Sequence, residues 1–166
     1  MKVQKGWRGY IFSREIGGDF IPQRVQNIVI RNYAQTKGML FLLSATEYYM
    51  DNCYMMLNAL LEELKSVSGL IFYSLKLLPE NYFQRKLIYE LFLAKKCELH
   101  FALEELAIVK EEDINLIEDI ITCKILVAQG NSSLWHSDSI GSDLAVVNDS
   151  FWQASRLFKE VESLTE

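Results

Sequence analysis

The sequence predicts an α/β fold: a three-layer domain with a mostly parallel four-stranded sheet, helices on both faces, and a C-terminal helical extension. Three observations predict it. Four short apolar runs recur at helix-plus-loop intervals. Amphipathic segments with helix start and stop signals lie between them. Half of the residues are hydrophobic, with nine Phe, eight Tyr and three Trp, which is enough to fill a core. Strands alternating with helices imply parallel pairing and right-handed crossovers.

The first run is Gly9-Tyr10-Ile11-Phe12-Ser13. Pro22 then stands at a first helical position, and Val25, Ile28, Val29 and Tyr33 form an apolar stripe. Gly38 lies where a C-terminal cap belongs. The second run is Leu40-Phe41-Leu42-Leu43-Ser44, after which Asn52 would cap a helix over 54–64. The third is Gly69-Leu70-Ile71-Phe72-Tyr73-Ser74. Pro79 opens a third helix through Tyr82, Leu87, Ile88 and Leu91, with Lys95 and Lys96 at its negative end. The fourth run is Glu98 to Leu103. None of the four alternates strictly, so each reads as a strand buried on both faces. A further helix over about 111–128 completes an α/β domain spanning 1–128. The stretch 129–142 is rich in Gly and Ser and reads as a polar linker. In 143–166, Leu144, Val147, Phe151, Leu157, Phe158 and Val161 fall near helical spacing, a helical tail.

Charge excludes several functions. The net charge is −5, which opposes non-specific coating of duplex DNA, and no nucleic-acid partner is expected. That figure is uneven: residues 1–37 hold seven Lys/Arg and two Asp/Glu, and the remainder ten and twenty. Cys53, Cys97 and Cys123 are too widely spaced for a disulfide framework or a zinc site. His100 and His136 have no metal-ligand spacing, so no metal is expected, and no motif implies a cofactor. No run of 18 apolar residues exists and the N-terminus lacks a leader's apolar stretch, so a cytoplasmic protein without a membrane span is expected.

In open α/β sheets ligands bind beyond the C-terminal ends of the strands. There the sequence places Ser13 and Arg14, then Ser44, Thr46, Glu47 and Tyr48, then Ser74, then Glu104. Ser13, Glu47 and Glu104 are the candidate catalytic groups, the two carboxylates as general acid and base if they converge. Arg8, Arg14 and Gln23 would hold an anion, a guanidinium doing so bidentately, as Arg24 also could, and Ser44, Thr46, Tyr48 and Ser74 would contact ligand hydroxyls. The alternative is a turn or cap role for each hydroxyl and carboxylate, and plain solvation for Arg24 and Arg31. His100 reads as a hydrogen-bonded core histidine, and Cys53 as a buried thiol or, beside a helix start, an activated one.

Several longer strings go further. Gly6-Trp7-Arg8-Gly9-Tyr10-Ile11-Phe12-Ser13-Arg14, Pro22 to Arg31, Ser44-Ala45-Thr46-Glu47-Tyr48, Cys53-Tyr54-Met55-Met56-Leu57 and Leu99-His100-Phe101-Ala102-Leu103-Glu104 together resemble the bacterial sporadic carbohydrate cluster protein family over about 6–106. That resemblance implies a role in lipopolysaccharide or capsule sugar biosynthesis, and carries no catalytic residue with it. The order of elements is also similar to the catalytic domain of serine recombinases (resolvases), with Ser13 near the nucleophile's place. This chain has Phe12 where they carry an arginine, and Lys76 with no Arg before Arg85 where they carry an arginine pair. Such arginines stabilise charge in DNA cleavage, so the likeness implies the fold rather than strand exchange.

The expected function is therefore binding or modification of a phosphorylated, acidic or nucleotide-linked sugar in surface-carbohydrate biosynthesis. The alternatives are a non-catalytic partner protein of that pathway or a degenerate resolvase-like DNA enzyme. Phe151, Trp152 and Phe158 would either pack back on the domain or form a homodimer contact.

Overall fold

The computed structural model describes residues 5–133. Strands β1 (Trp7–Phe12), β2 (Phe41–Glu47), β3 (Gly69–Phe72) and β4 (Glu98–Phe101) are the four expected ones. A fifth, β5 (Leu106–Ile108), pairs antiparallel to β4 through a turn at Glu105, whose φ is +55°. Three residues carry too little pattern to announce a strand. The sheet order is β2-β1-β3-β4-β5, with β1–β2, β1–β3 and β3–β4 parallel. The helices are α1 (Gln23–Thr36), α2 (Met55–Glu62), α3 (Tyr82–Lys95) and α4 (Glu111–Ser133). With α1 and α2 on opposite faces, the architecture is the expected layered α/β domain.

Five local expectations change. Strand β2 is not buried on both faces and does not end at Ser44. It is a sheet edge, runs to Glu47, and leaves Leu42 and Leu43 exposed. In α1 the buried positions are Gln26, Ile30, Tyr33 and Ala34, whereas Val25 and Ile28 face outward. Asn52 does not cap α2; it turns the loop at φ +54°, and α2 begins after Tyr54. Helix α3 opens at Tyr82, not Pro79, because Asn81 Oδ1 accepts from the Phe83 and Gln84 amides. Helix α4 extends to Ser133, so 129–133 is helix where a linker was expected. The tail 143–166 and His136 lie outside the described residues.

Close approach of strands is set by Gly69. It pairs with Trp7 and Glu98, and a Cβ there would run into the Glu98 carbonyl and the Trp7 ring. Beside it, Trp7 meets His100 edge-on at 4.8 Å. His100 is buried as expected, with Nδ1 2.8 Å from Tyr33 Oη and Nε2 2.9 Å from Glu98 Oε2. A carboxylate only accepts, so Nε2 carries the proton and Nδ1 accepts from Tyr33. Burial lowers the His100 pKa from its ordinary 6.5, against the pull of Glu98. The unfolded chain therefore takes up this proton first as pH falls. Stability should be full above about pH 6.5 and decline below it, a slope that urea titrations across pH would show and His100→Gln would remove. A slope unchanged in that variant would contradict the assignment.

Helix α4 is fastened to α3 by a buried cluster. Arg85 Nε and Nη2 donate to Glu118 Oε1 and Oε2 at 2.8 and 2.7 Å, and Tyr89 Oη donates to Oε1 at 2.7 Å. Burial pushes the Glu118 carboxyl up, but these donors hold it below its ordinary range. Arg85 Nη1 also donates to the Pro79 and Glu80 carbonyls, closing the loop before α3.

Candidate functional site

The chain leaves β1 toward β2 on one side and returns to β3 on the other. The crevice expected to hold a ligand thus lies beyond β1 and β3. The polar groups at this rim are bonded to protein. Ser13 Oγ donates to the Glu47 carbonyl at 2.7 Å, toward β2. Ser74 Oγ donates to Glu104 Oε1 at 2.7 Å, toward β4. The two hydroxyls turn away from the crevice between them.

Glu47 is 1% exposed. Its carboxylate accepts from Tyr10 Oη at 2.9 Å, from the Tyr48 amide at 3.0 Å, and from the Met56 and Leu57 amides at 3.1 Å. It therefore serves as the missing cap of α2, a negative group on the positive end of a helix. Burial first, and then this carboxylate, drive the Tyr10 phenol well above its ordinary pKa. Glu104 accepts from Ser74 and from the Leu75 amide, with Lys124 Nζ 3.6 Å away. The Glu47 carboxylate sits at the start of α2 and that of Glu104 at Ser74 and Leu75, just past β3. Each carboxylate faces its own donors, so the expected general acid–base pair does not converge.

Arg14 is 8% exposed. Its Nη1 donates to the carbonyls of Tyr48, Met50 and Cys53 at 2.9, 2.8 and 3.1 Å, and its guanidinium lies 4.0 Å over Phe12. It shapes the β2–α2 loop rather than clamping an anion. Cys53 is half-buried, its Sγ 3.8 Å from Glu47 Oε1. Arg8 is second in β1, far from the strand end, and is held by the Leu43 carbonyl and by Glu63 at 3.0 Å. Gln23 is exposed at the start of α1, and Tyr48 is exposed just past β2.

Ser44 and Thr46 lie elsewhere than the rim crevice. They line a cleft of about 420 Å³ between β2 and α1, together with Leu43 and with Arg24, Asn27, Ile28 and Arg31. Ser44 Oγ donates to Asn27 Oδ1 at 2.6 Å and packs where a Cβ on Gly9 would fall, so glycine lets α1 and β2 share this side of the sheet. Arg24 and Arg31 are exposed, and neither has a carboxylate partner among the described residues. Arg31 lies 5.8 Å from the Phe41 ring centre.

The sequence offers Arg24 as a possible anion clamp, with solvation the readier reading for it and for Arg31. The usable signal was their spacing of seven on a helix whose 14 residues include no acid. Sequence reasoning missed Gln26, which is fully buried. Its amide donates to the Phe12 and Ile21 carbonyls and accepts from the Phe12 amide, fixing α1 to the end of β1. A polar residue in step with Ile30 and Tyr33 was the signal there.

Comparison with protein-family models finds no match, and comparison with curated proteins finds none either. Among solved structures, the chain is similar to the N-terminal catalytic domain of TP901-1 integrase, a crystal structure. The TM-score is 0.50 and the identity 14%, over 78% of this chain and 99% of that one. The class defined is thus an α/β domain with the fold of that integrase domain. No helix among the described residues is long and apolar enough to cross a membrane.

Proposed function

We propose that this protein binds a phosphorylated, acidic or nucleotide-linked sugar in bacterial surface-carbohydrate biosynthesis, with the anionic group in the α1–β2 cleft. The observation that carries the reading is the pair Arg24 and Arg31, cationic, exposed and without a carboxylate partner among the described residues, across from the hydroxyl of Thr46. Their guanidiniums are free to make charge-assisted bonds to an anion. The sugar pathway rests on the resemblance of the strings around Ser44–Tyr48 and Leu99–Glu104 to the sporadic carbohydrate cluster family alone, and no family model matches the chain. The rim residues Ser13, Glu47 and Glu104 hold the scaffold in this reading, and a catalytic role for them would require breaking the bonds they make.

A thermal-shift screen of sugar phosphates and nucleotide sugars tests it, since a ligand of the folded state raises apparent stability. A hit should lose about tenfold in affinity in Arg24→Ala and in Arg31→Ala, one charge-assisted contact each. Hits insensitive to both variants, or no hit, would contradict the site. A nucleic-acid role is favoured by the fold and opposed by the net charge of −5. Retardation of DNA in a gel at moderate salt would support it. The homodimer proposed through 143–166 is tested by deleting that segment and measuring mass in solution.

A further inference from the structure

We propose that residues 143–166 of this same chain dock along the outer surface of α1 and β2 and cover the cleft between them. That surface is both apolar and cationic. Val25 and Ile28 of α1 and Leu43 of β2 are 45%, 58% and 65% exposed. Ile28 and Leu43 face one cleft, and Val25 stands one turn before Ile28, so the three form a patch rather than scattered single residues. Arg24 and Arg31 flank Ile28 on the same helix face, one turn to either side. Beside them β2 is a sheet edge of seven residues without Lys or Pro, the residues that commonly keep such an edge from pairing. An occupant that fits is apolar along one side and acidic overall.

The sequence of 143–166 has that character. Leu144, Val147, Phe151, Phe158 and Val161 recur at steps of three, four, seven and three, one stripe at helical period. The segment holds five Asp/Glu against two Lys/Arg. It is also within reach. The Lys124 ammonium lies 3.6 Å from Glu104 at the strand-end rim, and α4 runs nine residues further, about 14 Å. Residues 134–142 span at most about 30 Å when extended. Gln26 bonds to Phe12, and Phe12 pairs with Glu47, so the Arg24 end of the cleft stands at the same rim. From β4 to β2 that rim is three strand spacings, about 14 Å. The end of α4 is another exposed apolar surface, with Ile125, Leu126 and Val127. The one cation of that helix, Lys124, already faces Glu104, so its charge does not match an acidic segment. Arg24 and Arg31 have no carboxylate among the described residues, and 143–166 can supply it.

Docked there, the segment occupies the arginines that a ligand needs. That consequence rests on the anionic-sugar reading above; the docking itself does not. Methyl-detected NMR on the labelled full chain tests the docking with no ligand present. The Phe151 and Phe158 rings should show contacts to the Val25, Ile28 and Leu43 methyls that persist on dilution, and Phe151→Asp with Phe158→Asp should abolish them. Contacts to the Ile125, Leu126 and Val127 methyls instead, contacts only between separately labelled molecules, or none at all, overturn the proposal. Calorimetry then reads the consequence. A segment docked about nine-tenths of the time weakens a competing ligand about tenfold, so the doubly substituted chain should bind UDP-glucose about tenfold tighter than the native chain. Equal affinities overturn the covering of the cleft and leave the anionic-sugar reading standing. The docking contacts, with no binding of UDP-glucose or glucose 1-phosphate to either chain, would uphold the docking and overturn that reading.

Discussion

Replacing Glu47 with Ala should cost about 4 kcal/mol or more in unfolding free energy. The variant strands the Tyr10 hydroxyl and the Tyr48, Met56 and Leu57 amides that now donate to one buried carboxylate. An unsatisfied buried donor costs about 1–3 kcal/mol, and bonds to a charged acceptor lie at the upper end. Domains are typically stable by only about 5–15 kcal/mol, so the variant should be close to unfolding under ordinary conditions. Glu47→Gln is the milder companion. It keeps the volume but turns one acceptor into a donor facing amide protons, so it should fall between the native chain and Glu47→Ala. Urea denaturation of the three proteins checks the order. A loss under about 1 kcal/mol in Glu47→Ala would mean that the carboxylate is free for chemistry after all.

The second large effect belongs to Glu118. Glu118→Ala leaves Arg85, 5% exposed, with a buried charge facing no anion. Breaking one side of such a pair typically costs about 3–5 kcal/mol. Removing both charges is a different matter: Arg85→Met with Glu118→Leu should recover most of the loss, since a well-packed apolar pair often equals a buried ion pair. Denaturant midpoints of the single and double variants decide it. Equal damage in both would show that packing of α4, and not the ion pair, holds the helix to α3.

The contrast between these carboxylates shows what the sequence could and could not disclose. The strands were legible because apolar runs of four to six residues bounded by turn residues have few other readings. The helix ends were less so. Asn52 and Pro79 are good local start signals, yet α2 is capped from β2 by Glu47 and α3 by Asn81. A cap supplied from nine residues away leaves no local pattern. The same holds for the rim. Ser13, Arg14, Ser74 and Glu104 do gather at strand ends, as their positions imply. Ser13 and Arg14 bond to backbone carbonyls and Glu104 accepts from the Leu75 amide, partners that no residue type advertises, while Ser74 and Glu104 bond to each other across a gap of 30 residues. Arg24 and Arg31 looked like ordinary solvated charges because only the edge position of β2 turns the space beside them into a cleft.

The central claim is that an anionic ligand is held between α1 and β2, not at the crevice beyond β1 and β3. A heteronuclear NMR titration of the labelled full chain with UDP-glucose tests it most directly. The account predicts saturable shifts at Arg24, Asn27, Arg31, Ser44 and Thr46, with Ser13, Ser74 and Lys76 unmoved. Shifts concentrated at Ser13, Ser74 and Lys76, with the α1–β2 residues unmoved, would contradict it.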